Sequence, residues 1–306
     1  MNIEVYNREG RVERVEEPTA VTVGVFDGVH RGHRDLLAHL SPLTSHLSPL
    51  VLTLTAHPSF VLGRRDSEYW LDDPEEHLRL LFEAGAKYVA VMPFTHEVAR
   101  MTACEMARLL HDQLIMRSLL LGYDSRFGSK TNNDFDRLPQ LAAELGFTLQ
   151  RGEPFTVDSE PISSSRIRAS LIKGLVEETA TLLGRNYSIT GTVTHGRGVG
   201  HTLGFPTANI DLATTRKMLP AHGVYAVRVA RDQWPAVSGM ANLGDAPTFG
   251  VDKPLLEVHL IDYKGDLYGE TVTVEFLHRI RDIQRFGSAT ELQAQLKKDI
   301  EEARRW

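Results

Sequence analysis

The stretch Gly24-Val-Phe-Asp-Gly-Val-His-Arg-Gly-His33 decides how the first half of the chain is read. It follows an apolar run over 21–26 that predicts a strand, and it leads into a helical period over 33–40. Gly28 and Gly32 let the backbone approach a ligand closely. His30 and His33, three residues apart, can face one side of the helix start, where free N–H groups and the positive dipole end favour phosphate. For His-x-x-His alone, a glycine-bearing turn with two solvated histidines would be the ordinary reading. Three glycines, two histidines and an aspartate within ten residues of a strand-to-helix junction are far harder to obtain by chance.

Outward from this stretch, apolar runs over 50–55, 88–92, 118–121 and 147–150 predict strands, and longer periods over 74–84, 102–115 and 138–145 predict helices. Strands interleaved with crossover helices imply a parallel sheet covered on both faces. From Tyr187 onward the texture changes to short β-rich runs at 188–194, 224–230, 236–243, 256–262 and 271–276, broken by Gly, Pro and Asn. That spacing predicts an antiparallel barrel or sandwich. Leu292, Leu296 and Ile300 predict a closing amphipathic helix over 290–305. Between the two textures, 165–184 reads as one or two short helices with a boundary near Gly184.

Composition sets outer limits. A chain of 306 residues, 42% hydrophobic, can bury two cores. With 34 Lys and Arg against 40 Asp and Glu, the net charge of -6 argues against nucleic acid as a partner, so any phosphate must meet local positive charge. The single cysteine, Cys104, excludes an internal disulfide and a cysteine zinc site, which fits a reducing compartment. The first residues are mixed in charge without the apolar core of a signal peptide, and no apolar run is long enough for a membrane span, so a cytoplasmic protein without membrane association is expected. No Walker A loop or GxGxxG fingerprint occurs, and His30 and His33 lack the i,i+4 spacing and adjacent Glu of a helical zinc motif.

The segment 24–33 resembles the HxGH motif of the nucleotidyltransferase superfamily in its flavin-adenylylating form. Ile162-Ser-Ser-Ser-Arg-Ile-Arg168 resembles the ISSTxIR element that this family uses to hold the ATP triphosphate, with Ser165 in place of Thr. Hydroxyls and guanidinium groups at a helix start are good phosphate donors. Gly122-Tyr-Asp-Ser-Arg-Phe-Gly128 is similar to the GxDFRFG loop, with Ser125 for the second Phe, and His57-Pro58 matches the end of TFxPHP, with Leu54 and Ala56 departing from it. The resemblance implies a Rossmann-like α/β adenylyltransferase domain over 1–184. Its catalytic groups would be His30, His33 and Arg168, with Gly24, Phe26, Asp27, Gly28, Gly32, His57, Asp124, Arg126, Ser163, Ser164 and Ser165 around ATP and flavin.

In the second half, Gly191-Thr-Val-Thr-His-Gly-Arg-Gly-Val-Gly-His-Thr-Leu-Gly-Phe-Pro-Thr-Ala-Asn209 sets a glycine-rich loop after a strand. Amides freed at Gly196, Gly198 and Gly200 can wrap a phosphate, and Thr207 and Asn209 can offer oxygens to a hard cation such as Mg²⁺. The run resembles the riboflavin kinase signature ending in GFPTAN, with His201 for the usual Arg and Arg197 near a usual Asp. Gly223-Val-Tyr225, Asn242-Leu-Gly244, Pro247-Thr248, Glu257-Val-His259, Leu267-Tyr-Gly269 and Ile280-Arg281 continue the match in order. The resemblance implies an antiparallel β-barrel kinase domain with a terminal helix over 185–306. Glu257 would be the base, Thr207 and Asn209 the Mg²⁺ ligands, and Pro206, Tyr225 and Arg281 further contacts.

The two motif sets stand in the order of the prokaryotic bifunctional riboflavin kinase/FMN adenylyltransferases, which implies riboflavin, FMN and ATP as the small-molecule partners. One alternative is a riboflavin kinase whose N-terminal half no longer adenylylates, as Leu54, Ala56 and Ser125 would permit; another is a flavin- or nucleotide-responsive binding module without turnover, against which Thr207, Asn209 and Glu257 argue.

Overall fold

In the computed structural model, which describes residues 3–40, 46–55, 58–63, 69–125, 127–129, 134–196, 203–231, 234–245 and 254–306, the chain divides into units Met1–Ser164 and Ser165–Trp306. The first unit runs β1 (Glu4–Asn7), β2 (Gly10–Val12), β3 (Thr19–Val23), α1 (Arg31–Leu40), β4 (Ser48–Leu54), α2 (Pro58–Val61), α3 (Pro74–Glu83), β5 (Tyr88–Met92), α4 (Ala103–Gln113), β6 (Met116–Leu121), α5 (Leu138–Leu145) and β7 (Thr148–Arg151), then a small hairpin, β8 (Thr156–Val157) and β9 (Glu160–Pro161). Helix α4 is started by a full capping box between Thr102 and Glu105, and α5 stops where Gly146 takes a left-handed conformation.

The main sheet has the order β2-β1-β5-β4-β3-β6-β7, and the five strands from β5 to β7 are parallel. Successive residues of β4 show why its apolar run is continuous. Leu50 and Leu52 pack with Leu110 of α4 and Leu141 of α5, whereas Val51 packs with Leu37 of α1 and Leu80 of α3. All are at most 3% exposed, and each such side chain contributes about 1.5–3 kcal/mol by leaving water. The sheet is not wholly parallel, because the N-terminal hairpin β1–β2 adds an antiparallel edge on β5. Chain order runs outward from β3 through β4 to β5, then crosses back so that β6 lies on the other side of β3. Beyond the carboxyl ends of β3 and β6 such a reversal opens a crevice where ligands bind in open α/β sheets.

The second unit begins within α6 (Ser164–Ile172), followed by α7 (Val176–Leu183), β10 (Tyr187–Thr194), β11 (Ala208–Ile210), β12 (Gly223–Arg231), β13 (Trp234–Asp245), β14 (Pro254–Leu260), β15 (Thr271–Arg281) and the closing helix α8 (Ala289–Ala303). Among the described residues its strands form a closed barrel in the order β10-β11-β14-β13-β12-β15. That decides between the barrel and the sandwich left open by the sequence pattern. Alternation sets the two faces: Tyr225, Leu243, Leu256 and Phe276 are fully buried inside, while Val224, Ala226 and Met240 pack against Ile300 and Ala303 of α8 on the outside. The break in packing falls before Ser165, upstream of the change of texture near Gly184, since α7 packs on β10 and β15.

Candidate active sites

In the first unit the crevice at the strand-order reversal is a cleft of ≈ 130 Å³. One wall is the start of α1, with His30, Gly32, His33 and Leu36; a second is Gly122, Tyr123 and Asp124 after β6. Glu153 and Phe155 after β7 and Ile162, Ser163 and Ser164 close it. The two imidazoles stack, with centroids 3.5 Å apart and planes 18° from parallel. The His33 amide donates to His30 Nδ1 over 3.3 Å, so that nitrogen is an acceptor and a neutral His30 carries its proton on Nε2. Two cations at 3.5 Å would repel by about 5 kcal/mol at an effective dielectric near 20.

The turn that delivers these rings is strained. Phe26, Gly28 and Val29 have φ of 52°, 84° and 33°, and a non-glycine residue held there costs of order 1–3 kcal/mol. Phe26 and Val29 are anchored in the core, and the Phe26 ring meets His33 edge-on at 5.1 Å. Asp27 is buried; its Oδ1 accepts the Leu71 N–H at 2.8 Å and its backbone oxygen accepts the Ser164 hydroxyl at 2.9 Å. Phe26 and Asp27 thus shape the turn from beneath and do not line the cleft. Gly24 lies under the Phe26 ring, where a Cβ would stand 3.1 Å from it. Asp72 Oδ1 accepts the Gly28 N–H at 3.0 Å, and His77 Nδ1 meets the other carboxylate oxygen at 2.9 Å. Burial alone would raise the Asp72 carboxyl, but the charge and hydrogen bond of His77 and the Gly28 amide hold it below the usual carboxylate range.

Of the other residues singled out in this half, Arg168 is buried one helical turn beyond Ser164 on α6, with Ser165 between them. His57 and Arg126 lie outside the described residues. Sequence reasoning missed Leu36, Glu153 and Phe155. The available signal was position, since Glu153 and Phe155 follow β7 at the carboxyl edge where a parallel sheet binds ligands.

In the second unit, register gathers the polar residues. Asn209 pairs with Glu257, and Glu257 pairs with Asn242 on its other side. Thr194 lies opposite Asn209, Val224 opposite Asn242, and Arg281 opposite Val224. Directly opposed residues share a face with Cβ atoms about 4.5–5.5 Å apart. The row containing Glu257 is therefore on the outer face, the one that Val224 presents to α8. Asn209 is buried, with its amide under Gly196: a Cβ built on Gly196 would stand 2.0 Å from Nδ2. His259 Nδ1 donates to the Pro206 carbonyl at 2.8 Å, fixing the chain just before Thr207. Pro206 and Thr207 line a cleft of ≈ 130 Å³ with Val193, Tyr263, Leu267 and Tyr268, and His195 stacks on Tyr268 at 3.8 Å.

Two residues assigned to ligand contact by resemblance already have their polar groups engaged. The Tyr225 hydroxyl donates to the Ala221 carbonyl from a fully buried ring. The Arg281 guanidinium grips both carboxylate oxygens of Asp299, its Nη2 at 2.7 Å from Oδ2. Gly198, Gly200, His201 and Pro247-Thr248 lie outside the described residues.

Models of two families match this chain: FAD synthetase over residues 12–166 and riboflavin kinase over residues 183–306. The chain belongs to the bifunctional riboflavin kinase/FMN adenylyltransferases. Members so described are 36% identical in Haemophilus influenzae, over 95% of both chains, and 37% identical in Escherichia coli K12, over 93% of this chain and 91% of that one. The Bacillus subtilis member is 32% identical over 96% and 94%. A crystal structure described as a macrolide-efflux protein from Streptococcus pneumoniae has a TM-score of 0.86 and 31% identity, covering 98% of this chain and 97% of that one. Efflux belongs to that protein's description; here, among the described residues, no helix is long and apolar enough to cross a membrane. With both family domains present, the reading of a kinase with a degenerate first half is not favoured.

Proposed function

We propose that this protein phosphorylates riboflavin to FMN with ATP and then adenylylates FMN with a second ATP, giving FAD and pyrophosphate. The observation that supports it best is that each unit gathers its own motif set: His30, His33, Ser163 and Ser164 around one cleft, and Asn209, Glu257 and Asn242 side by side in one sheet row.

In the kinase step Glu257 accepts the proton of the terminal ribityl hydroxyl as that oxygen attacks the γ-phosphorus and ADP leaves. A base so placed contributes roughly 10²–10⁴-fold. Thr207 and Asn209 offer neutral oxygens, and the contact of Asn209 with Gly196 leaves its amide a fixed position. That donor set fits Mg²⁺, which when bound would offset phosphate charge. In the adenylyl step an FMN phosphate oxygen attacks the α-phosphorus and the bond to pyrophosphate breaks. The phosphate is already an anion, so no strong base is required, and His30, His33, Ser163, Ser164 and Arg168 serve by positioning and by stabilising charge on the leaving pyrophosphate. The adenylyltransferase module is proposed to extend to residue 184, where the β-rich texture of the kinase half begins.

Purified protein incubated with riboflavin, ATP and Mg²⁺, with flavins separated by chromatography, is expected to yield FMN and then FAD. FMN without FAD would refute the adenylyl half of the proposal, and unchanged riboflavin would refute both halves.

A further inference from the structure

Asp72 and His77 belong to none of the motifs, yet both are tied to the turn that carries the imidazole pair. The tie is reciprocal. Asp27 Oδ1 accepts the Leu71 N–H, while Asp72 Oδ1 accepts the Gly28 N–H, so residues 27–28 and 71–72 hold each other. The link continues from Asp72 Oδ2 to His77 Nδ1 at 2.9 Å, from His77 Nε2 to Thr53 Oγ1 at 3.0 Å, and from Thr53 Oγ1 to the Val25 carbonyl at 3.0 Å. It thus starts and ends on the same turn, three residues apart, and passes through β4 and α3 on the way. Thr53 and Asp72 are each 2% exposed, and the His77 side chain is 13% exposed.

We propose that His77 is a positioning residue for adenylyl transfer. It joins Thr53 to Asp72 and so holds the Gly28 amide, keeping the turn in the conformation that sets His30 and His33 into the cleft. Nδ1 donates to the Asp72 carboxylate, and Nε2 shares a hydrogen bond with Thr53 Oγ1, which also reaches the Val25 carbonyl. A side chain that hydrogen-bonds at both ends is needed here, and imidazole supplies this in a rigid plane. The turn has reason to require it, since Phe26 and Val29 both sit at positive φ and relax unless the surroundings fix them.

The inference rests on the first cleft being the adenylyl-transfer site, and the second unit supplies an internal control in the same chain. His77→Gln keeps a hydrogen-bonding group at one end only and cannot bridge Thr53 and Asp72 through a rigid ring. It is expected to lower kcat for adenylylation of supplied FMN at least tenfold while KM for FMN stays within threefold and riboflavin phosphorylation stays within twofold. Thr53→Val removes the hydroxyl with little change of shape and is expected to lower the same kcat by a smaller factor. The double variant should be no worse than His77→Gln alone, because the two residues act through one link. Wild-type protein that makes no FAD defeats the reading of the site before any variant is compared. With an active wild type, adenylylation within threefold in His77→Gln overturns the proposal. If His77→Gln loses both activities together, Thr53→Val decides, and unchanged adenylylation there overturns it equally.

Discussion

Adding a single methyl group at Gly196 tests the kinase site at its tightest point. A Cβ built there stands 2.0 Å from Asn209 Nδ2 and 2.5 Å from Cγ, while ordinary contact begins near 3.4 Å. Gly196 is exposed and its φ is not positive, so the backbone has no objection to alanine and Asn209 must give way by about 1.4 Å. Asn209 is buried and set in register beside Glu257, so the displacement falls on the group proposed to hold the metal. A misplacement of about 1 Å in a catalytic constellation costs on the order of 10²-fold in rate, or roughly 3 kcal/mol of barrier. Riboflavin phosphorylation by Gly196→Ala, followed by chromatography under saturating ATP and Mg²⁺, is expected to fall by about that factor. Adenylylation of supplied FMN and the melting temperature should hardly move. Phosphorylation within threefold of wild type would refute the reasoning, for it would mean that Asn209 can leave its place without consequence.

In Gly128→Ala, φ is 87° and the added Cβ would meet the Ala103 amide nitrogen at 2.4 Å, both backbone obstacles; thermal melting should show a large loss confined to the first unit, with adenylylation lost and phosphorylation kept. Asp72→Asn breaks a buried pair, which costs about 3–5 kcal/mol at neutral pH. Because the folded carboxyl is depressed below its usual value, the wild type's advantage is complete above pH ~4 and shrinks as acid protonates the folded form. The gap between the two in denaturant melts should therefore hold from pH 7 to about 4 and narrow below that, and a gap that widens in acid would contradict the assignment.

The elements whose sequence carried a continuous signal were legible. The apolar runs behind β4, β5 and β6 stand out because those strands are buried on both faces, and the helix over 138–145 matches Leu138–Leu145. The hairpin β1–β2 was not legible, since it is built of three- and four-residue strands whose Glu4, Tyr6 and Arg11 face solvent or one another. Strand β11 is three residues long, too short for a periodicity. Local motifs found the imidazole pair and the residues beside Glu257, but they say nothing of what a buried group is bonded to. Arg281 on Asp299 and Tyr225 on Ala221 are pairings that only the fold creates, as is that of Asp72, whose partner Gly28 is 44 residues away. Glu153 and Phe155 reach the cleft only because β7 lies beside β6.

That one chain carries two independent phosphate-gripping sites is tested most directly by mixing two inactive halves. Glu257→Ala supplied with riboflavin and ATP is expected to form no FMN, and His33→Ala is expected to stop at FMN. The two together should produce FAD from riboflavin, since FMN released by one is adenylylated by the other. No FAD from the mixture, with each variant retaining its other activity on supplied substrate, would contradict separate sites linked by a freely diffusing intermediate.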